Sequence, residues 1–132
     1  MMKDEYKQNG FYSPLVLFSL EQAKIYRNYL EEVENKIGPL HYFAKTYTMM
    51  SWVYEVATNK ILLDFVEDLI GQNILLYNAT FIIKEPMTKT HVSWHQDLTY
   101  WGFDDNEKQV SAWVALSNAD EISGCMQMIP GS

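Results

Sequence analysis

After a lead-in over residues 1–18, where Gly10 and Pro14 break any long helix, apolar and polar side chains follow the periodicity of helices up to residue 70. Between residues 20 and 36, apolar side chains recur at helical spacing, and charged or amide side chains occupy the other faces. Ser19 offers an N-cap, with Gln22 three residues later as in a capping box, and Gly38 followed by Pro39 is a stop signal. The pattern therefore predicts an amphipathic surface helix over residues 20–36.

Two shorter helices are predicted next. Residues 47–57 form a short helical stretch, and a third helix is predicted over residues 60–70, where apolar side chains again form one stripe. Thr58 or Asn59 can cap this third helix, and Gly71 ends it.

The pattern changes at Asn73, after which short runs rich in strand-forming residues alternate with polar turns. The predicted strands are 74–77, 80–84, 91–97, 110–116 and 125–129. Helices first and strands second favour an α+β domain, mainly β, whose strands form a sandwich or jelly roll. We expect one domain over residues 1–132, with a helical lead-in at 1–72 and the strands at 73–132.

Composition excludes several classes of protein. An apolar content of 48% with 14% aromatic residues is enough for the core of one domain. The net charge of −7 and the lack of any Lys/Arg run argue against a nucleic-acid partner. Neither a membrane span nor a signal peptide is apparent, so a cytoplasmic location is expected. The single cysteine, Cys125, cannot form an internal disulfide and is interpreted as a core residue.

The segment from His91 to Asp97 carries the chemical signal. In a strand, alternate side chains point to the same face, so His95 and Asp97 would present an imidazole and a carboxylate together. One more protein ligand would complete a two-His-one-carboxylate metal face with open positions. The motif is short, and a surface histidine beside a turn aspartate is the alternative. A zinc hydrolase that uses His91, His95 and Asp97 is a further alternative.

The chain resembles the phytanoyl-CoA dioxygenase family, most specifically from Lys84 onward. The matching segments, in the family's order and spacing, are Trp94 to Asp97, Tyr100 with Trp101, Ala112 to Leu116, Gly124 to Met126 and Ile129 to Ser132. A looser similarity covers the N-terminal part, through Tyr6, Gly10, Phe11, Lys45, Trp52 and the segment from Val66 to Gly71.

The resemblance implies a fold and a chemistry. The implied fold is a double-stranded β-helix, a cupin-like jelly roll, with N-terminal helices. The implied activity is hydroxylation of a small organic substrate with Fe(II), 2-oxoglutarate and O2. The residues assigned by the resemblance are His95 and Asp97 as iron ligands, Lys45, Thr80 and Trp113 in the 2-oxoglutarate pocket, and Tyr100 and Trp101 at the substrate pocket. Related halogenases have a small residue at the position of Asp97, so its carboxylate favours hydroxylation over halogenation.

This sequence departs from the family pattern downstream. Family members supply a third iron ligand, a histidine, and then an arginine for the cosubstrate, but this chain has no His after His95 and no Lys or Arg after Lys108. We therefore expect an N-terminal fragment with an incomplete jelly roll, inactive by itself. The alternative from another class is a non-catalytic jelly-roll module that binds a small ligand or a protein partner. The identity of the bound metal would discriminate among these readings.

Overall fold

The computed structural model describes residues 2–89, 91–103 and 108–132. Its α-helices are α1 (Met2–Asn9), α2 (Leu20–Ile37), α3 (Ser51–Ala57), α4 (Lys60–Ile70) and α5 (Leu98–Trp101), and a 3-10 helix covers Thr46–Thr48. Within these described ranges, no helix has the length and the apolar character needed to cross a membrane.

Local capping sets the ends of α2 and α4. The Ser19 hydroxyl accepts a hydrogen bond from the Gln22 backbone N–H at 3.1 Å, which satisfies a donor that the first helical turn leaves free. Asn59, rather than Thr58, caps α4 by accepting from the Ile61 N–H at 2.9 Å. The helices predicted at 20–36 and 60–70 are thus confirmed.

The helical stretch predicted at 47–57 is present but divided. Its first turn belongs to the 3-10 helix, and α3 begins only at Ser51. Between them Met50 has an extended backbone, with φ −125° and ψ 109°, and its side chain is buried. The break places Met50 in the core, where one continuous helix would have turned it differently.

The core is formed by α2, α3 and the segments around Leu40 and Phe81. Its buried side chains are Leu30, Leu40, Met50, Val53 and Phe81. Trp52 on α3 stacks on Tyr26 of α2 at 5.5 Å and on Phe81 at 5.7 Å between ring centroids. This run of aromatic rings fixes the second half of the chain against the helices.

The predicted fold class is wrong for this chain. The described residues form helices, turns and extended segments, and they contain no β-strand. All five predicted strands, at 74–77, 80–84, 91–97, 110–116 and 125–129, lack a ladder partner among the described residues. A single isolated parallel bridge joins His41 to Phe81 in that part of the chain. The α+β, mainly β, double-stranded β-helix (jelly roll) is therefore replaced by a helical arrangement with extended connections.

The physical reason is visible where segment 76–83 meets segment 41–47. The Phe81 carbonyl accepts from the Tyr42 N–H at 2.9 Å, but the next bond, from the Ile83 N–H, goes to the His41 imidazole at 2.8 Å. Tyr42 and Lys45 have left-handed backbones, with φ of 59° and 56°. A strand needs a neighbour with regular backbone donors and acceptors. A loop with two left-handed residues cannot supply that register, whatever the strand propensity of its partner.

Candidate metal centre

His95 and Asp97 meet at the start of α5. Asp97 is the residue before that helix and already has helical backbone angles, φ −55° and ψ −40°, and its carbonyl accepts from the Tyr100 N–H at 3.0 Å. The pair therefore does not share a strand face, as the alternation argument required. The side chains nevertheless come together, with His95 Nε2 at 3.1 Å from Asp97 Oδ1.

Each member of the pair is anchored through its other polar atom. His95 Nδ1–H donates to the Ser93 carbonyl at 2.8 Å, and the Ser111 hydroxyl donates to Asp97 Oδ2 at 2.5 Å. The Ser93 carbonyl is the main cause that raises the pKa of His95 above its ordinary value of 6.5. The hydrogen bond and the negative charge of Asp97 raise that pKa further.

The bonds to Ser93 and Ser111 leave two hydrogen-bond acceptors, His95 Nε2 and Asp97 Oδ1, facing each other. With the Nδ1 proton held by the Ser93 carbonyl, a neutral His95 presents its Nε2 lone pair to the ionised carboxylate of Asp97. Such a pair is stable only with a cation, which is either a second proton on the imidazole or a metal ion. Metal-ligating histidines ordinarily donate their other ring N–H to a carbonyl, and ligating carboxylates are themselves hydrogen-bonded. The pair fits two ligands of an iron or zinc site.

The described residues do not supply a third ligand. No group of three His, Cys, Asp or Glu side chains in ranges 2–89, 91–103 and 108–132 is placed to hold a metal ion. His91 lies elsewhere, in a shallow cavity of about 190 Å³ that it shares with His41 and Lys84. The set of His91, His95 and Asp97 required by a zinc hydrolase is therefore not assembled.

The two aromatic residues assigned to a substrate pocket differ in their surroundings. The Tyr100 ring lies 5.7 Å from the His95 ring and Tyr100 is 73% exposed, so it lies beside His95 at the surface. Trp101 points its ring at Tyr77, with centroids 5.9 Å apart, and Tyr77 also contacts Phe103 at 4.8 Å. Trp101 therefore packs α5 onto the preceding extended segment.

The three residues assigned to the cosubstrate lie on three segments of the chain. The Lys45 backbone N–H bonds to Asn78 at 2.8 Å, and the Thr80 hydroxyl donates to the Phe43 carbonyl at 2.9 Å. These bonds place Lys45 and Thr80 together on the paired segments 41–47 and 76–83. Trp113 lies two residues after Ser111 and is half-exposed. In the described ranges, no hydrogen bond or ring contact joins these three residues to His95 or Asp97.

Sequence reasoning missed Ser93 and Ser111. Ser93 acts through its backbone carbonyl, which leaves no trace in residue type. Ser111 is fourteen residues from Asp97, and spacing alone does not connect them. A hydroxyl placed between Val110 and Ala112 in an apolar run was the available signal, because such a position usually carries another apolar residue.

The chain is similar to known proteins over most of its length. Residues 16–132 match the family model described as phytanoyl-CoA dioxygenase. The peroxisomal phytanoyl-CoA dioxygenase of Bos taurus is 31% identical over 83 residues, which cover 61% of this chain and 25% of that protein. The Mus musculus enzyme is 35% identical over 75 residues, covering 54% and 22%.

A further relative extends the match. The phytanoyl-CoA dioxygenase domain-containing protein 1 homolog of Caenorhabditis elegans is 27% identical over 99 residues, covering 74% of this chain and 32% of that protein. The chain thus spans between about a fifth and a third of the length of the curated relatives it matches. No solved structure matches.

Proposed function

Because the chain belongs to the phytanoyl-CoA dioxygenase family, we propose that the protein is an Fe(II)- and 2-oxoglutarate-dependent dioxygenase that hydroxylates a small organic substrate. One observation carries the proposal. The Nε2 atom of His95 and the Oδ1 atom of Asp97 lie 3.1 Å apart, and each side chain is anchored through its remaining polar atom. An imidazole and a carboxylate held in this way are the donors that non-haem Fe(II) oxygenases use.

The roles of the pair follow from its contacts. His95 would bind the metal through Nε2, since Nδ1 is occupied by Ser93, and Asp97 would bind through Oδ1, since Oδ2 is occupied by Ser111. When bound, Fe(II) with 2-oxoglutarate and O2 supplies the oxidising power for hydroxylation. The Asp97 carboxylate would contribute a negative charge that partly neutralises the metal ion, and it would fill the position that chloride needs in a halogenase.

The remaining residues bind and orient the organic molecules in this proposal. Lys45 supplies an exposed ammonium group for a carboxylate of 2-oxoglutarate. Thr80, from the segment paired with it, and Trp113 line the same pocket. Tyr100 borders the substrate beside His95, an assignment supported by its 5.7 Å ring separation and its exposure. Trp101 supports that wall by packing on Tyr77.

Substitution of Asp97 tests the proposal. We expect Asp97→Ala in the complete protein to abolish Fe(II)-dependent formation of succinate from 2-oxoglutarate. It should also weaken metal binding by more than the roughly 10–100-fold that loss of an outer hydrogen-bond partner costs. Asp120→Ala is the matched control, because Asp120 is an exposed aspartate whose carboxylate bonds to Ser123 in a separate turn. Unchanged succinate production in Asp97→Ala would rule out the assigned role.

Metal identity separates this proposal from the two other readings. Activity should return to the metal-free protein with Fe(II) and not with Zn(II). A non-catalytic module would bind its ligand without metal, and a hydrolase would be active with zinc. Either of those two results would contradict the proposal.

A further inference from the structure

Ser111 is the residue whose side chain bonds to the proposed metal ligand Asp97. Its hydroxyl lies 2.5 Å from Asp97 Oδ2, and it comes from a segment fourteen residues further along the chain. We infer that Ser111 is a positioning residue that sets Asp97 to bind metal through Oδ1 alone. The inference rests on the proposed function, because it assigns a task within the same site.

The two carboxylate oxygens have different partners. Oδ2 accepts the hydroxyl hydrogen of Ser111, whereas Oδ1 faces His95 Nε2 at 3.1 Å. A separation of 2.5 Å is typical of a hydroxyl bonded to an ionised carboxylate, and such charge-assisted bonds are about twice as strong as neutral ones. The bond occupies one oxygen and leaves the other for the metal. Asp97 would therefore hold a metal ion through Oδ1 alone, and Oδ2 would stay bonded to Ser111.

Ser111 lies fourteen residues after Asp97, so the bond between them joins two separate segments of the chain. Asp97 directly precedes α5, and its backbone carbonyl bonds locally, to the Tyr100 N–H of that helix. Ser111 fixes the carboxylate instead to the segment that also carries Trp113, which is proposed to line the cosubstrate pocket. The hydroxyl thus joins the metal ligand to the pocket wall across a sequence separation of fourteen residues.

The alternative is an exposed serine whose bond affects neither metal nor fold. Binding of Mn²⁺, a redox-stable probe for an Fe(II) site, distinguishes the two in the complete protein. We expect Ser111→Ala to raise the Kd for Mn²⁺ by about 10–100-fold, the usual effect of losing an outer-shell partner of a ligand. Ser111→Thr keeps the hydroxyl and should restore the Kd to within a few-fold of the original. Ser123→Ala is the control, because the Ser123 hydroxyl is exposed and bonds in a separate turn, to the carbonyls of Asn118 and Asp120, so its loss should leave the Kd unchanged.

A double-mutant cycle gives the stricter test. If Ser111 acts through the carboxylate, Ser111→Ala should have no further effect on the Kd in an Asp97→Ala background. Additive effects, or an unchanged Kd in the Ser111→Ala single variant alongside a large loss in Asp97→Ala, would overturn the inference and leave the proposed function standing. Failure of the unsubstituted protein to bind Mn²⁺ would overturn both. The circular-dichroism melting curve of metal-free Ser111→Ala should match that of the unsubstituted protein, because Ser111 is exposed; a large drop in Tm would reassign Ser111 to folding.

Discussion

In His95 and Asp97, the two polar atoms of each side chain have different partners. In each, one polar atom bonds to a fixed group, the Ser93 carbonyl or the Ser111 hydroxyl, and the other polar atom faces its neighbour. In the core, hydrogen bonds also fix Thr46, the fully buried polar residue of the described ranges. Its backbone N–H and its hydroxyl both donate to the Ala79 carbonyl, at 3.1 and 3.0 Å. Hydrogen bonds made by single residues therefore fix side chains both at the candidate site and in the core.

Replacing the Thr46 hydroxyl tests its part in stability. Thr46→Val keeps the branched shape but removes one donor to the Ala79 carbonyl, so the free energy of unfolding should fall by about 0.5–1.5 kcal/mol. Thr48→Val is the control, because Thr48 makes an exposed bond to the Lys45 carbonyl and should lose less. Urea denaturation followed by fluorescence measures both. A Thr46→Val protein as stable as the original would contradict the buried bond.

At the scale of elements, helices and extended segments obtain their order from different sources. The ends of α2 and α4 are set by adjacent residues, with Ser19 and Asn59 as N-caps and glycines at the C-caps. Segment 76–83 is instead held by the loop at 41–47, through bonds that combine backbone and side-chain groups. The helices can therefore begin to form locally, whereas the extended segment acquires its place only when the chain closes on itself.

The cap of α4 offers a test at this scale. Asn59 accepts from the N–H groups of Ile61 and Leu62, so Asn59→Ala should lower the free energy of unfolding by about 0.5–2 kcal/mol. Asn59→Asp keeps the accepting oxygen and adds a favourable charge at the helix N-terminus, so its stability should stay close to the original. Thermal melts of the two variants check this. Equal losses in both would show that the bond from the Asn59 amide to the Leu17 carbonyl matters more than the cap.

At the scale of the whole molecule, one core connects the N-terminal helices to the segment that leads towards His95 and Asp97. Leu40 lies at its centre with 2% of its surface exposed, and its N–H bonds to the Glu34 side chain at 2.8 Å. Phe81 joins the same core from the second half of the chain. Loss of packing at this point should therefore reach the proposed site although no metal ligand is altered.

Truncation of Leu40 measures that dependence. Leu40→Ala should reduce the free energy of unfolding by about 2–5 kcal/mol, because it removes buried apolar surface and leaves a cavity. Leu75→Ala, at a leucine that is 85% exposed, should change it by less than about 0.5 kcal/mol. Chemical denaturation gives both values, and Mn²⁺ binding after each change reports on the site. Equal effects at the two leucines would place the core elsewhere.

The sequence by itself determined what neighbouring residues decide. It gave the bounds of α2 and α4 to within a residue, because capping and helical hydrogen bonds join positions at most four apart. It also singled out His95 and Asp97, which lie two residues apart, although their meeting at 3.1 Å arises at a helix start and not on a strand.

Tertiary structure decided the rest. Whether residues 74–84 form a strand depends on a partner supplied by distant residues, and here the partner is a loop with left-handed backbones at Tyr42 and Lys45. The bond from Ser111 to Asp97 likewise spans fourteen positions and has no periodic signature. Strand propensity describes how well a residue fits an extended backbone. A β-ladder, or a bond such as that from Ser111 to Asp97, forms only when the packing of the core brings both partners together.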